Sequence, residues 1–190
     1  MNFKNYIKEK TNLIDSCLEE VIATFQKSEI KKKDFILEVG QINNKLIFVE
    51  SGIFRIFHIT PEGKEATACF FHEGQFAFDI ISYVKNIPSK EYIQCLEDSI
   101  IYSIQKSELE ALYKKEQQIE RLIRIMIEDQ FVYFKEVLLS QLRESAEERY
   151  LKILNERPYL INRVPMKHIS SYLGINEPSL SRIRKRIVKY

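Results

Sequence analysis

Tryptophan is absent from this chain of 190 residues, and histidine, methionine and cysteine occur only three times each. Cys17, Cys69 and Cys95 are odd in number and far apart, which excludes a disulfide framework and any thiolate cluster with metal-ligand spacing. Reduced, buried thiols are the expected state. No apolar run is longer than about four residues, whereas a membrane helix requires roughly 20. The lysine-rich beginning, MNFKNYIKEK, lacks the apolar core of a secretory signal. A cytoplasmic protein with no membrane partner is expected. There is no phosphate-binding glycine loop, no nucleophile elbow and no zinc-ligand pair, so an enzyme is the least supported class. His58, His72 and His168 are scattered, and each reads as a surface residue of a strand or helix rather than a ligand. No metal and no cofactor is expected.

What is present is a normal complement of core-forming residues and an uneven distribution of charge. The whole chain carries only +2, but from Ser140 onward 11 Lys and Arg face 5 Asp and Glu, or +6, which leaves 18 against 22, or −4, for the first 139 residues. A basic end on an acidic body is the electrostatic footprint of contact with nucleic acid or an anionic membrane.

Three kinds of periodicity follow one another. Up to about Phe25, Ile7, Leu13, Ile14, Leu18, Val21 and Ile22 recur at helical spacing, which predicts one or two helices. From Asp34 to Ile104 the chain is rich in Ile, Phe, Val and Tyr, and Gly40, Gly52, Gly63 and Gly74 recur every eleven or twelve residues. Short strands between regular turn signals predict a β sandwich or barrel, with Pro61, Glu62 and Gly63 as one tight turn. Leu109 to Leu142 then reads as helix without Gly or Pro, a long one with room for a shorter one before it. Its apolar residues cover roughly 200° of the wheel, against a usual stripe of about 100°, so the helix has enough apolar surface for two contacts: its own β domain and a symmetry mate. A helix sunk wholly into its own domain is the alternative. Ser145 reads as a helix N-cap with Glu147 and Glu148 in the first turn, and that helix should stop before Pro158.

The most informative stretch is SSYLGINEPSLSRIRKRI, residues 170–187. Met166 to Leu173 reads as a short helix, Gly174 as a turn requiring positive φ, and Asn176 as the cap of a second helix that tolerates Pro178 in its first turn. Two short helices across a glycine turn describe a helix-turn-helix. Leu180, Ile183 and Ile187 fall on the inward face; Ser181, Arg182, Lys185 and Lys189 fall on the other. Arg suits bidentate contact with guanine, while Lys and Ser suit phosphate oxygens. A merely solvated basic face is the bland alternative. A membrane-surface helix is disfavoured because its apolar face lacks large aromatic residues.

The order of helix, glycine-punctuated β roll, long helix and helix-turn-helix resembles the Crp/Fnr transcription factors, the family of the cyclic-AMP receptor protein and the fumarate and nitrate reduction regulator. The resemblance is carried by ILEVGQINNKLIFVESGIFRIF, TPEGKE and HEGQFAFDI in the roll and, more specifically, by ISSYLGINEPSLSRIRKRI. It implies an α+β fold: a helix plus a cyclic-nucleotide-binding-type β-roll (jelly roll) sensor over residues 1–106, a connecting and long dimerisation helix over 107–144, and a winged-helix-like helix-turn-helix over 145–190. The trailing hairpin of longer members is expected to be missing. It also implies a bacterial homodimer joined through Met126, Phe131, Phe134 and Val137, binding a two-fold symmetric operator in double-stranded DNA with reading helices roughly 34 Å apart. RNA polymerase is a further partner implied for such a regulator. By position, Ser179, Ser181, Arg182 and Lys185 resemble DNA-contacting residues, and Lys167 and Asn176 resemble phosphate contacts.

The departures bear on the effector. Where the family holds ribose with a Gly-Glu pair and the cyclic phosphate with an Arg-Ser pair, this chain has Phe78 and Asp79, then Ser89 and Lys90. Phe134 and Lys135 stand where the long helix would offer hydroxyls to the base. Burying a cyclic phosphate without a forked guanidinium is expensive, and Phe78 would press into the sugar site. No binding of cyclic AMP is expected; any other effector is unidentified. Glu177 and Pro178 also depart from the usual reading helix, so base readout should lean on Arg182 and its serine neighbours. The competing reading is a small-molecule or partner-binding sensor in which the roll does the work and the basic helices are a docking surface.

Overall fold

The computed structural model describes residues 2–187. Two amphipathic helices come first, α1 (Phe3–Lys10) and α2 (Asp15–Ala23). Asn2 starts α1 by accepting from the Asn5 N–H through its side chain. Strands β1 (Gln26–Ile30), β2 (Phe35–Leu37), β3 (Lys45–Ser51), β4 (Phe54–Ile59), β5 (Glu65–Phe71) and β6 (Phe76–Ala77) follow; a short helix, α3 (Ile80–Lys85), then precedes β7 (Tyr92–Cys95) and β8 (Ser99–Gln105). They form two four-stranded sheets, ordered β1-β8-β3-β6 and β2-β7-β4-β5. The fold is α+β, as expected.

Strand β3 shows why the roll needs helices. Its register places Leu46 opposite Ile104 and Phe48 opposite Tyr102, and these face a core completed by Phe3, Ile7, Leu18, Ile119 and Leu122 from the helices. The alternate residues, Ile47 and Val49, are buried as well. A strand covered on both faces reads as a continuous apolar run, which is what LIFV is. Gly52 after it has φ +114, and a Cβ there would meet Ser99 Oγ at 1.8 Å, so the turn admits glycine only.

The helical run expected over 109–142 is two helices, α4 (Lys106–Lys115) and α5 (Gln117–Arg143), separated at Glu116, whose N–H closes α4 on the Leu112 carbonyl. Ile119, Leu122 and Ile123 of α5 are buried, whereas Phe131, Val132, Leu138 and Leu142 are exposed. Beyond it lie α6 (Ala146–Glu156), α7 (Pro158–Arg163), α8 (Met166–Tyr172) and α9 (Glu177–Ile187). Ser145 and Glu148 form the capping box of α6, and Pro158 occupies the first turn of α7, where no amide is missed. His168, expected at a surface, is buried at 5% exposure, because it lies one turn before Tyr172 on the inward side of α8.

The chain forms two compact units: Met1–Ile56 with Phe70–Gln130, and Phe57–Cys69 with Phe131–Tyr190. The tip of the β4–β5 hairpin therefore belongs with the C-terminal helices.

Candidate functional site

The C-terminal unit is built around Tyr150, Ile153, Leu160, Val164, Ile169, Leu173, Leu180 and Ile183, all buried. Gly174 has φ +67, as the turn between α8 and α9 requires. The Asn176 Oδ1 accepts from the Ser179 N–H at 2.9 Å, capping α9. With Leu180 and Ile183 turned inward, Ser181, Arg182 and Lys185 are exposed on α9, and Lys167 is exposed on α8. Arg182 Nη2 donates to Ser179 Oγ at 3.0 Å, so a guanidinium and a hydroxyl are already joined on the outer face. Arg186 is bound to Glu147 and is thereby tied to α6. Asn176 spends its Oδ1 on the cap, which leaves its amide nitrogen as its remaining donor. Lys189, placed on the same outer face by its spacing, lies outside the described residues.

The structure also places Phe78, Asp79, Ser89 and Lys90. Phe78 is 3% exposed and packs in the core, its ring 5.7 Å from that of Tyr83. Asp79 is buried and is the N-cap of α3, accepting from the N–H groups of Ile81 and Ser82. Its Oδ2 accepts from the Ser89 hydroxyl at 2.7 Å, and its own N–H donates to Asn43 Oδ1 at 2.8 Å. Ser89 Oγ in turn accepts from the Glu91 N–H at 3.0 Å. Burial, with the Asp79 carboxylate second, pushes the Glu91 carboxyl above its ordinary value. The segment from Phe78 to Glu91 is thus closed on a carboxylate of its own, that of Asp79. Lys90 is exposed. Phe134 and Lys135 belong to the other compact unit, where Phe134 is half-buried beside Tyr133 and Lys135 is exposed.

Of the four residues expected at a dimer seam, Phe131 is 65% exposed. Met126 packs against the core of its own unit, and Val137 lines a cleft of about 360 Å³ between α5 and α6. Both are turned away from the outer stripe of α5, which runs through Phe131, Leu138 and Leu142. The remaining expected residue, Phe134, is half-buried.

Sequence reasoning missed two polar clusters. Asn43 holds the Asp79 N–H from a separate strand connection. Arg157 donates to the Tyr133 hydroxyl at 2.7 Å with its guanidinium carbon 4.2 Å from that ring's centre, pinning the α6–α7 junction to α5. Burial holds the Tyr133 hydroxyl well above its usual range. Neither cluster has a local signal, because each is assembled from distant segments. Among the described residues no group of His, Cys, Asp and Glu is placed to hold a metal ion, and no helix is long and apolar enough to cross a membrane.

The family model of the cyclic nucleotide-binding domain matches residues 27–116, which is the roll with α4. The chain is 24% identical over 177 residues to the anaerobic regulatory protein of Pasteurella multocida, covering 86% of this chain and 63% of that protein, so it spans somewhat less than two thirds of that relative's length. FixK2 from Bradyrhizobium japonicum is similar in structure, with a TM-score of 0.74 at 16% identity over 87% of this chain and 85% of the other. A transcriptional regulator of the Crp/Fnr family from Eubacterium rectale superposes with a TM-score of 0.72 at 16% identity, over 97% and 88% of the two chains. The chain therefore has a cyclic nucleotide-binding-type roll and shares the fold of these Crp/Fnr-type proteins.

Proposed function

We propose that this protein is a sequence-specific DNA-binding transcriptional regulator that reads a pseudo-palindromic operator as a homodimer and does so without a cyclic nucleotide. The observation that carries the reading is the outer face of α9, where Arg182, Lys185 and Ser181 are exposed while Leu180 and Ile183 anchor the helix from behind. Such a helix, capped at its N-terminus and about 16 Å long, has the dimensions and donors of a major-groove reader. Ser179 and Arg182 are the base-reading pair; Lys167, Asn176 and Lys185 are its phosphate contacts.

Two further observations support the rest. The exposed apolar stripe Phe131, Leu138 and Leu142 on α5 suits the same stripe of a second copy. In the roll, the Asp79 carboxylate and the Ser89 hydroxyl already satisfy each other, so a cyclic phosphate would bring a second buried anion beside the first. An empty or unrelated effector site follows, and cyclic AMP is not its ligand.

Selection of bound fragments from the genomic DNA of the host organism tests the reading. The expected result is an enriched two-fold symmetric sequence, bound with an affinity that falls steeply with salt, because each neutralised phosphate releases about 0.9 of a counterion. Recovery of no common sequence would refute it and leave the sensor alternative.

A further inference from the structure

Strand β5 lies at the end of its sheet order, β2-β7-β4-β5, so among the described residues one of its edges has no strand to pair with. Residues two apart on an edge strand point their backbone groups the same way. On this edge the groups of Glu65 and Thr67 are taken by a single side chain: Ser171 Oγ, from α8, accepts from the Thr67 N–H at 2.9 Å and donates to the Glu65 carbonyl at 2.7 Å. One hydroxyl thus does for the strand edge what a neighbouring strand would do, and both hydrogen bonds span more than 100 residues of sequence. Building on the DNA-binding reading above, we infer that Ser171 is a positioning residue, which clamps the first helix of the helix-turn-helix to the tip of the β4–β5 hairpin and so sets the orientation in which α9 is presented.

The clamp is permissive rather than inhibitory. With Ser171 engaged, Lys167, Ser181, Arg182 and Lys185 all remain exposed, so the contact leaves the reading face uncovered. It is also built to open. Thr67 is 5% exposed, and its hydroxyl Oγ1 is buried with no hydrogen-bond partner among the described residues. Burying a hydroxyl unpaired is unfavourable. Undocking of α8 returns that hydroxyl to water at the same time as it breaks the two Ser171 bonds. The two effects oppose each other, and the docked state is therefore held by a narrow margin that single substitutions can move in either direction.

Amide hydrogen exchange on the full chain, read together with binding to the selected operator and to random duplex, tests this. In the wild type the Thr67 amide is protected although it faces a strandless edge. Ser171→Ala is expected to speed its exchange about tenfold and to weaken operator binding by a similar factor, the loss that two ordinary hydrogen bonds can impose. Binding to random duplex, which requires only the cations, stays within about twofold. Ser171→Thr keeps the hydroxyl and restores both readouts. Thr67→Val keeps the N–H, removes the unpaired hydroxyl, slows exchange at position 67 and leaves operator binding equal or tighter. Unchanged exchange at Thr67 in Ser171→Ala, equal losses on operator and random duplex, or tighter operator binding by that variant would each overturn the clamp. A wild type that binds no operator at all would instead defeat the DNA-binding reading, with exchange at Thr67 still reporting on the contact.

Discussion

The Ser89 hydroxyl stands 2.7 Å from the Asp79 carboxylate, both groups buried, in the segment where the family resemblance implies an anion site. A molecule already carrying its own negative charge at that point has little use for another. Thermal melts in saturating cyclic AMP or cyclic GMP should therefore show no shift. A saturable rise with either nucleotide would contradict this, since a ligand that binds the folded state must raise the melting point.

The same carboxylate is structural. It accepts from two backbone N–H groups at the start of α3 and from Ser89, and Asp79→Ala removes the acceptor of all three. A loss of about 2 kcal/mol in urea unfolding is expected. A change below about 0.5 kcal/mol would mean that the carboxylate is not held as described.

Glu91 beside it gives a pH signature. Burial and Asp79 raise its folded value above the ordinary 4.5, so the folded protein binds that proton more tightly than the unfolded chain does. Stability must then fall as pH rises through the window above 4.5. Glu91→Gln removes the penalty: the variant should melt higher than wild type at pH 7 and lose its advantage near pH 4. An advantage that persists unchanged at low pH would place its origin elsewhere.

Phe131→Asp puts a charge into the exposed stripe of α5. The wild type is expected to sediment as a dimer and the variant as a monomer, with the melting curve little altered, because Phe131 is 65% exposed. A variant that remains dimeric would move the seam away from α5.

How much of this was legible in the sequence depends on distance along the chain. The helix-turn-helix could be read because its signals are local: Gly174 at positive φ, Asn176 as cap, Pro178 in the first turn, and Leu180 and Ile183 at helical spacing. The two-sided apolar stripe of the long helix was legible too, but a wheel does not say which side faces the core. Met126 and Val137, expected at a dimer seam, pack within their own units, while Phe131 is exposed. Ser171 reaches Glu65 and Thr67 across more than 100 residues, and Asp79 depends on Asn43 from an earlier connection; no period or spacing reports such meetings. Even the break at Glu116 has no Gly or Pro to mark it, although Leu112 and Ile119 on either side are both buried.

Salt-resolved binding of Arg182→Ala and Lys185→Ala to the selected operator and to random duplex decides whether α9 reads DNA. Arg182→Ala should lose about 1 to 3 kcal/mol of discrimination between the two, and Lys185→Ala should weaken both together and reduce the salt slope by roughly one. Binding to every duplex unchanged by either substitution would show that the exposed face of α9 is not what meets DNA.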